Sequence, residues 1–202
     1  MLNIAVLVSG GGTNLQALLD AEKSGVLHSG TISLVLSNQP DAFALTRARL
    51  AGVTGVTLTK AKGETAAEYG ERLVEVLKAH DIRLVVLAGF MLILSPNVIE
   101  AYRDRIVNIH PSLIPSFCGE GFYGLKVHEA ALAKGVKVTG ATVHLVNEVP
   151  DGGRILAQKA VEVREDDTPE HLQKRVMEEA EWVLLPQATE RAAQRINQGL
   201  EI

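Results

Sequence analysis

The sequence predicts an α/β fold: a mostly parallel central sheet flanked by helices, with an antiparallel extension and a long C-terminal helix. Three observations carry this. The apolar runs at 2–8, 32–37 and 84–87 are continuous, as strands covered on both faces require. Stretches of helical periodicity separate them, which is the rhythm of parallel strands joined by crossover helices. Beyond residue 136 the pattern changes to two alternating strands around the turn Pro150-Asp151-Gly152-Gly153, the mark of an antiparallel pair.

The first strand breaks at Ser9-Gly10-Gly11-Gly12-Thr13-Asn14, after which Leu15, Leu18 and Leu19 fall at helical spacing. A glycine turn opening a helix exposes backbone N–H groups at the positive end of the helix dipole, where an anion such as phosphate is favoured. The same residues would also make a plain tight turn. Neither the P-loop Lys-Ser/Thr pair nor the spacing G-x-G-x-x-G is present. A second strand at 32–37 turns through Asn38-Gln39-Pro40-Asp41 into an alanine-rich helix. A short third strand at 55–58 precedes an amphipathic helix at 64–79, with Tyr69, Leu73, Val76 and Leu77 on its apolar side. The strand at 84–87 runs into Ala88-Gly89-Phe90-Met91-Leu92-Ile93-Leu94, read either as core or as the wall of a pocket for a flat ring. In an open parallel sheet, ligands collect at the carboxyl ends of strands, where this loop lies.

Ile106-Val107 lead a further strand into Asn108-Ile109-His110-Pro111-Ser112-Leu113-Ile114-Pro115, where two prolines forbid continuation. Alternation puts Asn108 and His110 on one side of the strand. The amide can donate to a carbonyl oxygen gaining charge, and the imidazole can exchange protons near neutral pH. A histidine capping a turn is the structural alternative. The glycine-punctuated loop 116–124 follows, expected to cover the site, and its Cys118 reads as an inert thiol. A helix at 125–134 and strands at 136–149 and 154–163 come next. His144, between Val143 and Leu145, reads as a core histidine. Thr168-Pro169 opens the last helix, expected to be interrupted at Pro186.

At 202 residues and 47% hydrophobic, the chain can build one substantial core. A net charge of −4 with no basic block argues against nucleic acid and for small-molecule substrates. The single Cys118 allows no intrachain disulfide and no zinc spacing, so no metal and a reducing compartment are expected. Without a basic leader or an apolar run of about 18 residues, no membrane association is expected, and the working place is cytoplasmic.

Taken together, Ser9-Gly10-Gly11-Gly12-Thr13-Asn14-Leu15-Gln16, Ala88-Gly89-Phe90-Met91, Asn108 to Pro115 and Asp151-Gly152-Gly153 resemble the phosphoribosylglycinamide formyltransferases of purine synthesis. The resemblance runs nearly end to end and implies a Rossmann-like fold. It implies one formyltransferase domain over 1–202, with a nucleotide-binding half at 1–105 and a catalytic, folate-binding half at 106–202. The activity implied is metal-free transfer of the formyl group of 10-formyltetrahydrofolate to the amine of glycinamide ribonucleotide, by direct attack through a tetrahedral intermediate, in a monomer or homodimer. Carried over, Gly12, Thr13 and Asn14 hold the substrate phosphate, and Glu178 and Glu181 approach its glycinamide and ribose. Met91, Leu92, Ile93, Leu94, Asn147, Glu148, Val149 and Pro150 line the folate pocket. Asn108, His110 and Asp151 form the catalytic trio, with Asp151 favouring the imidazolium form of His110.

Family members often carry arginine where this chain has Leu92 and Ala66, and proline where it has Arg154. Its last helix is one residue longer between Val176 and Pro186 than in many relatives. Methionyl-tRNA formyltransferase and formyltetrahydrofolate deformylase share the Asn-x-His-Pro-Ser-Leu core, but each normally carries a further domain that 202 residues leave no room for. From a different class, a non-catalytic nucleotide-binding module would need only the glycine loop.

Overall fold

Strands β1 (Leu2–Val8), β2 (Gly30–Ser37), β3 (Thr54–Thr57), β4 (Ile82–Leu87) and β5 (Ile106–His110) pair in parallel in the computed structural model, which describes all 202 residues. Strands β6 (Val138–Leu145) and β7 (Ile155–Glu162) add antiparallel at one edge, giving the order β3-β2-β1-β4-β5-β6-β7. The chain starts in the middle, winds out to β3 and returns to β4 on the other side of β1. The carboxyl ends of β1 and β4 therefore bound a crevice where the strand order reverses.

Burial explains the continuous apolar runs. Val6, Leu7 and Val8 of β1 and Leu84, Val85 and Val86 of β4 are fully buried, because both faces of the sheet are covered. Helices α1 (Thr13–Ser24) and α7 (Trp182–Asn197) contribute to one apolar layer, and α3 (Ala66–Ala79) and α4 (Pro96–Ala101) to the other. Cutting a side chain such as Leu84 to alanine would cost about 2–5 kcal/mol through lost transfer energy and a cavity. Helix α2 (Phe43–Leu50) lies between β2 and β3, and α5 (Leu125–Lys134) between β5 and β6. A capping box sets the start of α3: Thr65 Oγ1 accepts from the Glu68 N–H at 3.1 Å, and the Glu68 carboxylate accepts from the Thr65 N–H at 2.8 Å.

The structure differs from the sequence reading in three places. Pro96 begins the short helix α4, because its fixed φ and missing N–H suit a first helical turn. Strand β6 stops at Leu145, since the Val146 N–H turns to the carbonyl of Ile106 and Asn147 Oδ1 then accepts from the Val149 N–H. Pro186 does not interrupt the last helix. Helix α6 (Pro169–Val176) passes through a π-helical turn (Met177–Glu181) directly into α7, with Pro186 inside it. Pro186 lacks the N–H that would bond the carbonyl four residues back, and the helix continues past that one missing bond with Pro186 buried. No helix is long and apolar enough to cross a membrane.

Candidate active site

The antiparallel register of β5 and β6 sets Asn108 opposite His144, and His110 opposite Thr142. Side chains of paired residues share a face, so His144 reaches the Asn108 amide, with Nδ2 at 3.0 Å from His144 Nε2. The turn after β6 returns the third predicted residue. Asp151 has φ 54°, and Gly153 then passes so close to β6 that a Cβ there would lie 1.7 Å from the Leu145 carbonyl oxygen. Only glycine permits that approach. The Asp151 carboxylate ends 3.4 Å from His110 Nδ1 and 3.4 Å from His144 Nε2, and it accepts the Gly119 N–H at 2.9 Å.

Hydrogen bonds assign the ring protons. A carbonyl can only accept, so His110 Nε2 donates to the Phe117 oxygen (2.9 Å) and His144 Nδ1 donates to the Leu145 oxygen (2.8 Å). His110 Nδ1 is then the titrating atom that faces Asp151, while His144 Nε2 lies within reach of both the Asn108 amide and the Asp151 carboxylate. Burial holds the His110 pKa below the ordinary histidine value, outweighing the Phe117 carbonyl and Asp151, which both raise it. The expected pull of Asp151 toward imidazolium is correct in sign, but burial is the larger influence. For Asp151 itself, burial would raise the pKa, yet the hydrogen bonds from His144 and Gly119 and the two imidazoles lower it. It stays a carboxylate near neutral pH.

The prolines break the strand, and a polar network fixes the segment that follows. Thr142 Oγ1 donates to the Ser112 carbonyl (2.6 Å) and accepts from the Ile114 N–H (3.1 Å), and Gln158 Nε2 donates to the Ile114 carbonyl (2.9 Å). Burial and Asp151 push the Cys118 thiol pKa up, so it stays protonated, as expected of an inert thiol.

Across the crevice, Ser9 joins the two loops of the strand-order reversal. Its N–H donates to the Gly89 carbonyl (3.0 Å), and its Oγ accepts the Met91 N–H (2.8 Å). The N–H groups of Gly12, Thr13 and Asn14 donate to no protein acceptor, which leaves an anion cradle at the start of α1. Asn14 is buried and donates through Nδ2 to Glu181 at 2.6 Å, while its Oδ1 has no partner. Burial raises the Glu181 pKa, against the Asn14 hydrogen bond, so its carboxyl tends to the protonated form. Glu178 is not gathered into this site. It faces outward with its carboxylate 3.8 Å from Lys174 Nζ, because the π turn brings Met177, Ala180 and Glu181 inward and leaves Glu178 and Glu179 outside.

On the far side of Asn108 and His144, an apolar cleft opens. Leu92, Ile93 and Leu94 line one wall and Asn147, Glu148, Val149 and Pro150 the other, with Asp151, Asn108 and His144 at one end. Phe90, which the reading of 88–94 as a pocket wall included, lines it too, together with Leu87, Ile99 and Val146, which that reading did not reach. Met91 does not line the cleft; its backbone ties to Ser9 between cradle and cleft. The flat apolar walls with polar groups at one end fit a fused-ring cofactor such as a pterin. His144 is the functional candidate that sequence reasoning gave to the core. Its role follows from strand register, a nonlocal fact, and the available signal was its place in the strand that pairs with Asn108.

An amide, two imidazoles and a carboxylate at the carboxyl end of a parallel sheet, between an anion cradle and an apolar cleft, define a group-transfer enzyme of the α/β class. A family model described as formyl transferase matches residues 2–189. Phosphoribosylglycinamide formyltransferase of Escherichia coli is 41% identical over 175 residues, 87% of this chain and 80% of that protein. The chloroplastic phosphoribosylglycinamide formyltransferase of Arabidopsis thaliana is 41% identical over 177 residues, 87% of this chain but 60% of that protein. The chain thus spans about three fifths of the length of such plant relatives. The crystal structure of glycinamide ribonucleotide transformylase 1 from Symbiobacterium toebii superposes with a TM-score of 0.90 at 41% identity, over 96% of this chain and 88% of that one. The chain belongs to the formyl transferase family, among its phosphoribosylglycinamide formyltransferases.

Proposed function

We propose that the protein transfers the formyl group of 10-formyltetrahydrofolate to the amine of glycinamide ribonucleotide. The observation that carries this reading is the convergence of Asn108, His110, His144 and Asp151 between the cradle at Gly12 and the cleft at Leu92. The ribonucleotide phosphate binds the N–H groups of Gly12, Thr13 and Asn14, with Glu181 and the free Asn14 Oδ1 toward its donor groups. The folate ring lies in the cleft. Residues 1–105 supply the anion cradle and one wall of the folate cleft, and 106–202 the catalytic residues, the other wall and Glu181, in one working domain, as a monomer or homodimer in the cytoplasm.

As the amine attacks the formyl carbon, its carbonyl oxygen gains charge. Asn108 Nδ2–H and protonated His110 Nδ1 donate to that oxygen, and the charge developing there raises the basicity of His110 where burial had lowered it. Asp151, a carboxylate 3.4 Å from both rings, accepts the amine proton, directly or through water, and steadies the imidazolium. The proton returns to the departing folate nitrogen through His110. No covalent bond to the protein is formed. Holding both molecules at one crevice removes the entropic barrier of their encounter.

The test is formyl transfer by the purified chain with both substrates at saturating concentration, followed by the appearance of tetrahydrofolate and formylglycinamide ribonucleotide. Binding of both molecules without turnover would reduce the protein to a binding module and end this reading.

A further inference from the structure

The carbonyl groups of the glycine turn are tied back, and the ties come from α2. Gly10 O accepts from the Ala44 N–H at 3.1 Å, and Gly11 O accepts from Arg47 Nε at 2.8 Å. Arg47 Nη1 also donates to Gln16 Oε1 at 3.0 Å, and its guanidinium carbon lies 5.0 Å from the centroid of the Phe43 ring. The arginine is thus held on three sides. The backbone has no room to slide beneath it, since a Cβ on Gly12, at φ 71°, would meet the Ala44 Cβ at 2.7 Å.

In a trans peptide, C=O and N–H point in opposite directions. Fixing the Gly11 carbonyl on Arg47 therefore aims the Gly12 N–H at the open side, where the cradle lies. The positive charge stands behind that peptide, in line with its dipole. It strengthens the Gly12 donor by polarising the Gly11–Gly12 peptide, as successive hydrogen bonds polarise one another. Arg47 is also the cation whose hydrogen bonds reach this loop. The opposite side of the cradle carries Glu181 and the buried, unpartnered Asn14 Oδ1, which match a ligand with an anionic end and a body bearing hydroxyl or amine donors.

We infer that Arg47 is a specificity-determining residue for the phosphate end of the acceptor, working from behind the loop. It sets the direction and strength of the Gly12 donor, and its charge favours a phosphorylated acceptor over the same acceptor without phosphate. This rests on the proposed function in one respect, that the cradle takes the ribonucleotide phosphate. Adding bond and hydrogen-bond lengths through the peptide puts the guanidinium about 8 Å from a bound phosphate oxygen. Coulomb attraction at that distance, screened as for a half-buried group, corresponds to about five- to tenfold in affinity.

Arg47→Gln separates the two contributions. Its Nε2 stands the same number of bonds from Cα as arginine Nε, so the donor to Gly11 O is kept and the charge is lost. Calorimetry with glycinamide ribonucleotide and with its dephosphorylated riboside is expected to show about five- to tenfold weaker ribonucleotide binding at low salt, with riboside binding unchanged. The gap from wild type should close as ionic strength rises to about 0.5 M. Arg47→Met, which removes donor and charge together, should lose more, and in turnover the loss should fall on KM for the ribonucleotide. Wild-type ribonucleotide affinity in Arg47→Gln, or equal losses for both ligands, would overturn the assignment. Should Arg47→Gln fail to fold, Arg47→Lys carries the test, expected to keep a salt-sensitive ribonucleotide preference that the Met variant lacks; equal preference in the two refutes it. A wild-type protein that binds riboside as tightly as ribonucleotide would instead remove the phosphate reading beneath it.

Discussion

Replacing Asp151 by asparagine keeps the shape of the turn and removes one charge between two imidazoles. The side chain is about 14% exposed, and its oxygens stand 3.4 Å from His110 Nδ1 and 3.4 Å from His144 Nε2. At that distance and an effective dielectric of about 20, the Coulomb attraction to an imidazolium is about 5 kcal/mol. With about a quarter of it surviving screening by solvent and by the other polar groups, protonated His110 loses about 1.2 kcal/mol, or just under one pKa unit. Burial already holds His110 below the ordinary value, so the variant pushes it further in the same direction. Because the protonated ring is the donor, the alkaline limb of kcat should move down by about one pH unit. Height should fall as well, by about 100-fold or more, since the carboxylate proposed to accept the amine proton is gone. The assay is kcat against pH for both proteins, with ribonucleotide affinity measured in parallel and expected to stay near wild type. A uniformly slower Asp151→Asn with an unmoved limb would refute the electrostatic role, and wild-type turnover would refute the site.

Asn108→Ala removes an oxyanion donor and should lower kcat by about 100- to 1,000-fold with ribonucleotide binding kept; a smaller loss would show that the amide only fills space. His144→Leu frees the Asn108 amide and should lower kcat by about 10-fold, the scale of one lost hydrogen bond, with a visible rise in the Asp151 pKa by NMR because His144 helps to lower it. His128, fully buried on α5 with neither ring nitrogen partnered, has its pKa lowered to about 4 by burial and by His110. The unfolded chain binds that proton first, so the stability is present above pH 6.5 and drains by about 3 kcal/mol as pH falls toward 4; urea titrations of His128→Leu should show a flatter profile there. Leu92 on the cleft wall and Ala66 at the start of α3 offer no cation, so affinity along a folate polyglutamate series should stay flat, and a steep rise would contradict this.

What could be read from the sequence follows the range of the interactions involved. Asn108 and His110 were legible because two local rules act on them: alternation fixes their side and the prolines fix the strand end. The glycine turn was legible for the same reason, although its carbonyl ties to Ala44 and Arg47 were not, since they cross between loops far apart in the chain. Asp151 carries only turn chemistry in its own neighbourhood, and its carboxylate acquires meaning when Gly153 lets the turn fold back against Leu145. His144 looked like core because Val143 and Leu145 are core. Its register opposite Asn108 makes it part of the site.

The π turn shows how a residue pattern settles a feature that a simple helix rule misses. Leu172, Val176, Ala180, Leu184, Ala188, Ala192 and Ile196 recur every four residues and all are buried. On a straight α-helix each such step gains about 40° over a full turn, so a stripe this long would wind off the sheet. One wide turn returns roughly 100°, the rotation of a single residue, and keeps Leu184 to Ile196 on the core after Ala180. The wide turn falls where Met177 Sδ meets Thr13 Oγ1 at 3.8 Å and Glu181 meets Asn14, at the rim of the anion cradle. A strict α-helical register through Met177–Glu181 would have to give up one of two fits, the apolar stripe against the sheet or Glu181 against Asn14. The π turn lets the helix serve the core and the cradle rim together.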